Sequence, residues 1–162
     1  TSVNIVGANE DIVGIGIFFE PYALQDDIHA YAYYVDKTAA ANNKVVPYGD
    51  YNSYKNEVFY QEPITAGTTV ITSPYEFRGE MVVSYAMPII YNGVTKGVVE
   101  VDVLTSIFEK LNIANKNFPS LYTVICDENL NIVHKTGDAT ASGKQLSQFF
   151  GTKEMEKVHA KL

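Results

Sequence analysis

The sequence predicts an α+β fold: a central antiparallel β-sheet flanked by helices, followed by part of a second, similar unit. Three observations carry this. Asn92-Gly93 joins two long β-rich runs, Met81 to Tyr91 and Val94 to Val103, and both residues tolerate positive φ, which makes the pair a strong hairpin signal. With 46% hydrophobic and 19% charged residues over 162 positions, the chain is globular and holds one ordinary domain, or one small domain plus part of another. The stretch after residue 120, a hairpin and a helix, is too short to bury a full core by itself.

Residues 1–12 show no clear period and are expected to form a lead-in that frays. Val13-Gly-Ile-Gly-Ile-Phe-Phe-Glu20 reads as a buried strand ended by Pro21. Its glycines at 14 and 16 share a face, so something is expected to pack closely against the backbone there. Residues 22–28 read as a loop whose Asp26-Asp27 pair sits in a solvated turn. Ala30 to Lys37 alternates and is β-rich, a second strand. Ala39-Ala-Ala-Asn-Asn43 reads as a linker turn, and Val45 to Tyr48 as a short third strand. Asn52 or Ser53 can cap a helix that begins near Tyr54 and is ended by Pro63 and Gly67. Thr68 to Ser73 is a strand stopped by Pro74, and Arg78-Gly-Glu80 turns into the hairpin.

On the return strand, the period of two separates Val99, Val101 and Val103 from Val98, Glu100 and Asp102. The valine-only face is expected to enter the apolar core, leaving the other to carry two carboxylates. Leu104 to Asn112 reads as an amphipathic helix capped by Thr105 or Ser106. Residues 115–119 are linker-like. Leu121 to Cys126, a turn at Asp127-Glu-Asn129 and Leu130 to Lys135 form a second hairpin, 137–143 a loop, and 145–162 contain a helix. The expected domains are therefore 1–114 and 115–162.

Composition excludes several function classes. A formal charge of −7 argues against nucleic acid and against an anionic membrane surface, since both need a basic face. No run reaches the length of about 18 apolar residues that spans a bilayer, and no leader pattern opens the chain. The start at Thr1 reads as an excised segment whose anchor lies elsewhere. The single cysteine, Cys126, sits in a β-branched run and reads as an inert core thiol. No phosphate-binding glycine loop is present, no Gly-x-Ser-x-Gly elbow, and no paired Cys or His ligands. No cofactor and no metal are expected, and His29, His134 and His159 each read as surface residues.

Aromatics hold the positive signal. There are 12 tyrosines and no tryptophan, and every tyrosine except Tyr122 lies between Tyr22 and Tyr91. Rings with one polar tip suit surfaces that meet both an apolar ligand and water, although sheets also favour tyrosine in general. The stretch from Tyr48 to Val103 is therefore read as one small-molecule pocket laid over the sheet. Glu100 and Asp102, roughly 6–7 Å apart at Cα from the strand rise, allow a second reading as a carboxylate-dependent hydrolase. A third reading, a protein-interaction module, predicts an exposed apolar patch.

Phe59-Tyr60, Ser73-Pro-Tyr75, Ser84-Tyr-Ala-Met-Pro-Ile89 and Gly97-Val-Val-Glu-Val-Asp-Val103, in that order and spacing, resemble the double Cache (dCache) sensor domain. Residues 13–112 are similar to its membrane-distal, PAS-like module. Residues 121–150, with Gly143-Lys-Gln-Leu146, are similar to the opening of its membrane-proximal one. The resemblance implies an extracytoplasmic small-molecule sensor of a bacterial or archaeal chemoreceptor, histidine kinase or cyclic-dinucleotide enzyme. It further implies no catalysis in this region, membrane anchoring by segments absent here (the family's long first helix among them), and an assembly that allows a homodimer.

Family members that bind amino acids use a Tyr, an Arg-x-Trp-Tyr, a Tyr-x-Asp and a strand Asp. By position these fall near Tyr51, on Glu57 with Phe59 and Tyr60, on Tyr75 with Phe77, and on Asp102. Tyr54 and Ser84 complete the expected ligand-binding set. Glu57 stands where the family's Arg would be and Phe77 where its second Asp would be. A carboxylate-gripping Arg is thus missing. Carboxylates among aromatic faces suit an amine, each cation–π contact contributing about 0.5–2 kcal/mol; with Glu57 turned to solvent, another small polar or neutral ligand fits equally.

Overall fold

The computed structural model describes residues 1–111 and 122–159, with side chains through residue 157. The expected linker at 115–119, the boundary after residue 114, the ends of the elements at Asn112, Leu121 and Leu162, and the His159 side chain lie outside the described residues.

In chain order the elements are α1 (Ser2–Ala8), β1 (Ile12–Phe19), β2 (Ala32–Asp36), α2 (Lys37–Ala41), β3 (Val46–Pro47), a 3-10 turn at Tyr51–Ser53, α3 (Val58–Ala66), β4 (Val70–Ile71), β5 (Tyr75–Phe77), β6 (Glu80–Tyr91) and β7 (Val94–Leu104). A 3-10 helix at Thr105–Lys110 leads to β8 (Val124–Cys126), β9 (Ile132–Lys135) and α4 (Thr152–His159). The chain divides into two units, one of Thr1–Thr72 with Val82–Leu104 and one of Ser73–Met81 with Thr105–Leu162.

In the first unit the strands run in the order β3-β2-β1-β7-β6-β4, every pair antiparallel. The hairpin between β6 and β7 turns at Asn92 (φ 51°) and Gly93 (φ 73°), two successive left-handed residues that match the twist of the flanking strands. Directly opposed residues share a face. The pairs Gly14–Asp102, Gly16–Glu100 and Gly16–Tyr34, with Ser84–Asp102 and Ala86–Glu100, therefore set one row of side chains across four strands.

That row is the buried face. Glu100 and Asp102 are 1% and 0% exposed, whereas Val99, Val101 and Val103 are half-buried and their neighbours Tyr85 and Met87 are exposed. The expectation that the valine-only face enters the core is thus reversed. The reason is tertiary: Phe18, Tyr54, Phe59 and Tyr60, all buried, roof the carboxylate side, and residue types on β7 alone could not reveal which side that would be.

Three local expectations are corrected. Residues 1–12 hold α1, whose Val6 is 0% exposed and packs with Val35 and Ala39. The Lys37 ammonium donates to the Val6 carbonyl at 2.7 Å and also to that of Asn9, tying down carbonyls that the helix end leaves open. Ala39-Ala-Ala is a helix rather than a turn, because Asp36 accepts from the Ala39 amide at 2.7 Å and caps α2. The aromatic helix starts at Val58, with Glu57 at its N-cap and no side-chain cap bond. Asp50 instead caps the preceding 3-10 turn, through Ser53. Pro63 lies inside α3, and Gly67 (φ 65°) ends it.

The second unit has its own core of Ile132, Ala141, Leu146 and Met155, with Val124, Cys126, Leu130, Phe149 and Phe150 around it. Burial, then the nearby Asp127, pushes the Cys126 thiol up, in keeping with an inert thiol. In the turn of the β8–β9 hairpin the Asp127 carboxylate accepts from Ser73 at 2.7 Å and from the Asn129 and Asn131 amides at 2.9 and 2.8 Å. His134 is buried rather than on the surface, beside the Phe108 ring.

Candidate functional site

The site is built on the central strands. Gly14 and Gly16 on β1 carry no side chains, and the space above them is filled from neighbouring elements. A Cβ at Gly14 would run into the Tyr34 ring; one at Gly16 would meet the Phe18 ring and lie 3.1 Å from Glu100 Oε1. The close approach expected at these glycines is therefore present.

Tyr34 spans Gly14 to reach Asp102, its hydroxyl donating to Oδ2 at 2.5 Å, while the Ser84 hydroxyl donates to Oδ1 at 2.6 Å. The Ser84 backbone amide is held in turn by the Thr72 hydroxyl at 2.9 Å. Both Asp102 oxygens are thus engaged by charge-assisted bonds from neutral donors. Glu100 differs: neither of its oxygens has a hydrogen-bond partner among the described residues. Burial first, then the Asp102 charge, and finally Glu57 push the Glu100 carboxyl well above the usual range, against a smaller lowering by the Ser84 hydroxyl.

Over this floor lies a connected layer of rings. Phe18 contacts Tyr48, Tyr54 and Phe59 with centroids 5.0, 5.3 and 4.9 Å apart, and Tyr54 meets Tyr60 at 5.0 Å. The rim is polar. Glu20 accepts from the Tyr51 hydroxyl at 3.1 Å and from Tyr60 at 2.8 Å, and the Tyr54 hydroxyl donates to the Phe19 carbonyl at 2.6 Å. Burial followed by the Glu20 charge raises the Tyr54 phenol to about 12. The same burial, with the bond to Glu20, raises Tyr60 and Tyr51.

Of the residues expected to bind ligand, the structure brings together Tyr51, Tyr54, Phe59, Tyr60, Ser84 and Asp102 in the first unit. Glu57 belongs to the same unit but is exposed; it reaches the site as an electrostatic influence on Glu100. Tyr75 and Phe77 lie on β5, in the second unit, where the Arg78 guanidinium sits over the Phe77 ring. The expected ligand-binding residues left out Tyr34, Phe18 and Glu20, and Tyr48 entered only as the start of the pocket stretch. One signal could have found two of them: Phe18 and Glu20 share the parity of Gly14 and Gly16 on β1.

Solved structures of similar fold include two described as extracellular domains of histidine kinases. One, mmHK1S-Z2, is 22% identical with a TM-score of 0.75 and covers 98% of this chain and 64% of its own. The other, mmHK1S-Z3, is 23% identical with a TM-score of 0.72, over 96% of this chain and 60% of its own. A third is the ligand-binding domain of the amino acid chemoreceptor PctB of Pseudomonas aeruginosa PAO1 in complex with L-Gln, 20% identical with a TM-score of 0.62, over 91% and 54%. At these identities the likeness is one of fold, and the chain spans less than two thirds of each. A sequence search of curated proteins finds no match. The profile of the methyl-accepting chemotaxis protein-like first PDC sensor domain matches residues 3–136. That span is most of the chain, and the chain belongs to this family of sensor domains.

Proposed function

We propose that this chain is the extracytoplasmic small-molecule sensing region of a transmembrane chemoreceptor or sensor histidine kinase. Its ligand site is the face bearing Glu100 and Asp102, beneath the aromatic layer. One observation carries the reading: a buried carboxyl, Glu100, without a hydrogen-bond partner among the described residues, under a roof of aromatic rings. A folded chain rarely leaves such an acceptor unanswered unless something else answers it. A small polar ligand with an amine group supplies the missing donor, and the rings supply faces for it. Residues 1–114 form the ligand-binding module and 115–162 the start of a second one. The PctB domain, which holds L-Gln, supports a ligand of this size. Membrane anchoring comes from segments outside this sequence, and the receptor works as a homodimer.

Binding tightens the aromatic segment over the sheet. Strand β7 is continuous from Glu100 to Leu104, where the chain leaves the first unit, and it passes a small displacement onward. The domain binds without turnover, so a glycoside panel incubated with it is expected to remain intact.

A thermal-shift screen over amines, amino acids and organic acids tests the reading. A ligand at a hundred times its Kd stabilises by about 2.7 kcal/mol, a rise of several degrees in Tm, and Asp102→Ala is expected to abolish that shift. No stabilisation by any compound at millimolar concentration would sink the proposal.

A further inference from the structure

Within the first unit Glu100 and Asp102 are neighbours with opposite circumstances. Asp102 is engaged on both oxygens, by Tyr34 from β2 and Ser84 from β6. Glu100 is 1% exposed, with both oxygens lacking a partner among the described residues. Among the described residues only the Ser84 hydroxyl favours its charge, and by less than burial and Asp102 oppose it. On β1 it faces Gly16 and the Phe18 ring. The β6 hydroxyl of Ser84 is engaged with Asp102. The charged groups that act on it, Asp102 from its own strand and Glu57 from the N-cap of α3, are both acidic. A carboxylate placed so among like charges and rings is strongly disfavoured. Two partners relieve it: a proton, or a cation.

We propose that Glu100, rather than Asp102, is the counter-ion for the ligand's cationic group, and that the cation enters by displacing a proton that Glu100 carries while the site is empty. The proposal rests on the reading that this face of the sheet is the ligand site. In the exchange the Glu100 O–H bond breaks and its proton passes to solvent. The ligand cation takes its place beside the carboxylate, no covalent bond forms, and the charge within the site is unchanged. Asp102, fixed by its two hydroxyls, keeps its field constant through the exchange and acts as a positioning residue. The Phe18 ring, which shares the space over Gly16 with Glu100, offers a π-system to the incoming cation. A neutral compound of the same shape exchanges no proton. Sensing is therefore linked to pH, with binding weakened by acid.

The test is isothermal titration calorimetry of the whole chain with tetramethylammonium and n-butylammonium chlorides, and with butanol as the neutral comparison. The titrations are repeated in buffers of different ionisation heat between about pH 5 and about pH 9, where buried glutamates titrate. Tetramethylammonium has no proton of its own to lose, so any proton released comes from the protein. The expected result is release of about one proton per cation, with affinity rising up to about tenfold per pH unit until Glu100 ionises unaided. Glu100→Gln is expected to abolish the release and weaken cation binding at least tenfold. Cation binding without proton release, or equal binding by Glu100→Gln, overturns the proposal. The first readout needs only the wild-type chain, so a variant that misfolds does not protect the idea. If only neutral or anionic compounds from the thermal screen bind, the proposal falls and the sensor reading stands. If nothing binds, both fall.

Discussion

At the scale of single residues, the site is a contrast between a satisfied carboxylate and an unsatisfied one. Tyr34 is 0% exposed and its hydroxyl answers Asp102. Tyr34→Phe keeps the ring over Gly14 but leaves Asp102 one donor short, an expected loss of about 1–3 kcal/mol in urea unfolding. Tyr60 and Tyr54, raised by burial and by Glu20, should remain protonated beyond the pH at which exposed tyrosines ionise, and the ultraviolet titration of the phenols reads this directly. Tyr51, Tyr54 and Tyr60 were legible in the sequence because tyrosine clustering is visible without a fold, whereas Tyr34 and Phe18 were not. The role of Glu57 was not. Whether a helix N-cap residue points at a site or at water depends on where its helix begins, and α3 begins at Val58 rather than near Tyr54.

At the scale of elements, short segments gained their structure from capping and packing that no period announces. Seven residues are too few for a helix to hold by itself in water, so α1 exists through Val6 against Val35 and Ala39 and through Lys37 on its C-terminal carbonyls. Val6→Ala removes two buried methyl groups and is expected to cost about 1.5–2 kcal/mol; a frayed lead-in would show no change in the unfolding midpoint. On β1, Gly14→Ala would push a methyl group into the Tyr34 ring, which is enclosed and tied to Asp102. Destabilisation of about 1–3 kcal/mol is expected, together with loss of ligand response, since Asp102 would be disturbed. The β6–β7 hairpin needed no tertiary help, because two left-handed residues in succession are acceptable to few sequences besides Asn-Gly.

At the scale of the molecule, protons link the site to stability. Glu100 has its folded pKa raised, so the native state holds a proton that the unfolded chain has released. Its contribution is fully present below the unfolded glutamate value of about 4.3 and is lost as pH rises through the folded value. Asp127 is the reverse case. Burial alone would raise it, but the Ser73, Asn131 and Asn129 donors outweigh that and lower it. Its contribution is present above the unfolded value and lost as pH falls. Stability of the empty protein is therefore expected to decline through the first unit as pH rises above the unfolded glutamate value of about 4.3, and through the second as pH falls. Circular-dichroism melts across pH should show the decline with rising pH flattened in Glu100→Gln, and an unchanged slope would remove Glu100 as its source.

Sequence alone determined the α+β class, the β6–β7 hairpin and the aromatic segment, because these rest on local periodicity, turn chemistry and composition. Tertiary structure decided which side of β7 is inside. A strand offers two faces of equal geometry, and on β7 the more apolar one lost: the ring layer from Phe18 to Tyr60 covers the carboxylates, and Tyr34 reaches across Gly14 to hold one of them. That choice buried Glu100 without a partner, and the chemistry proposed for this sensor follows from it.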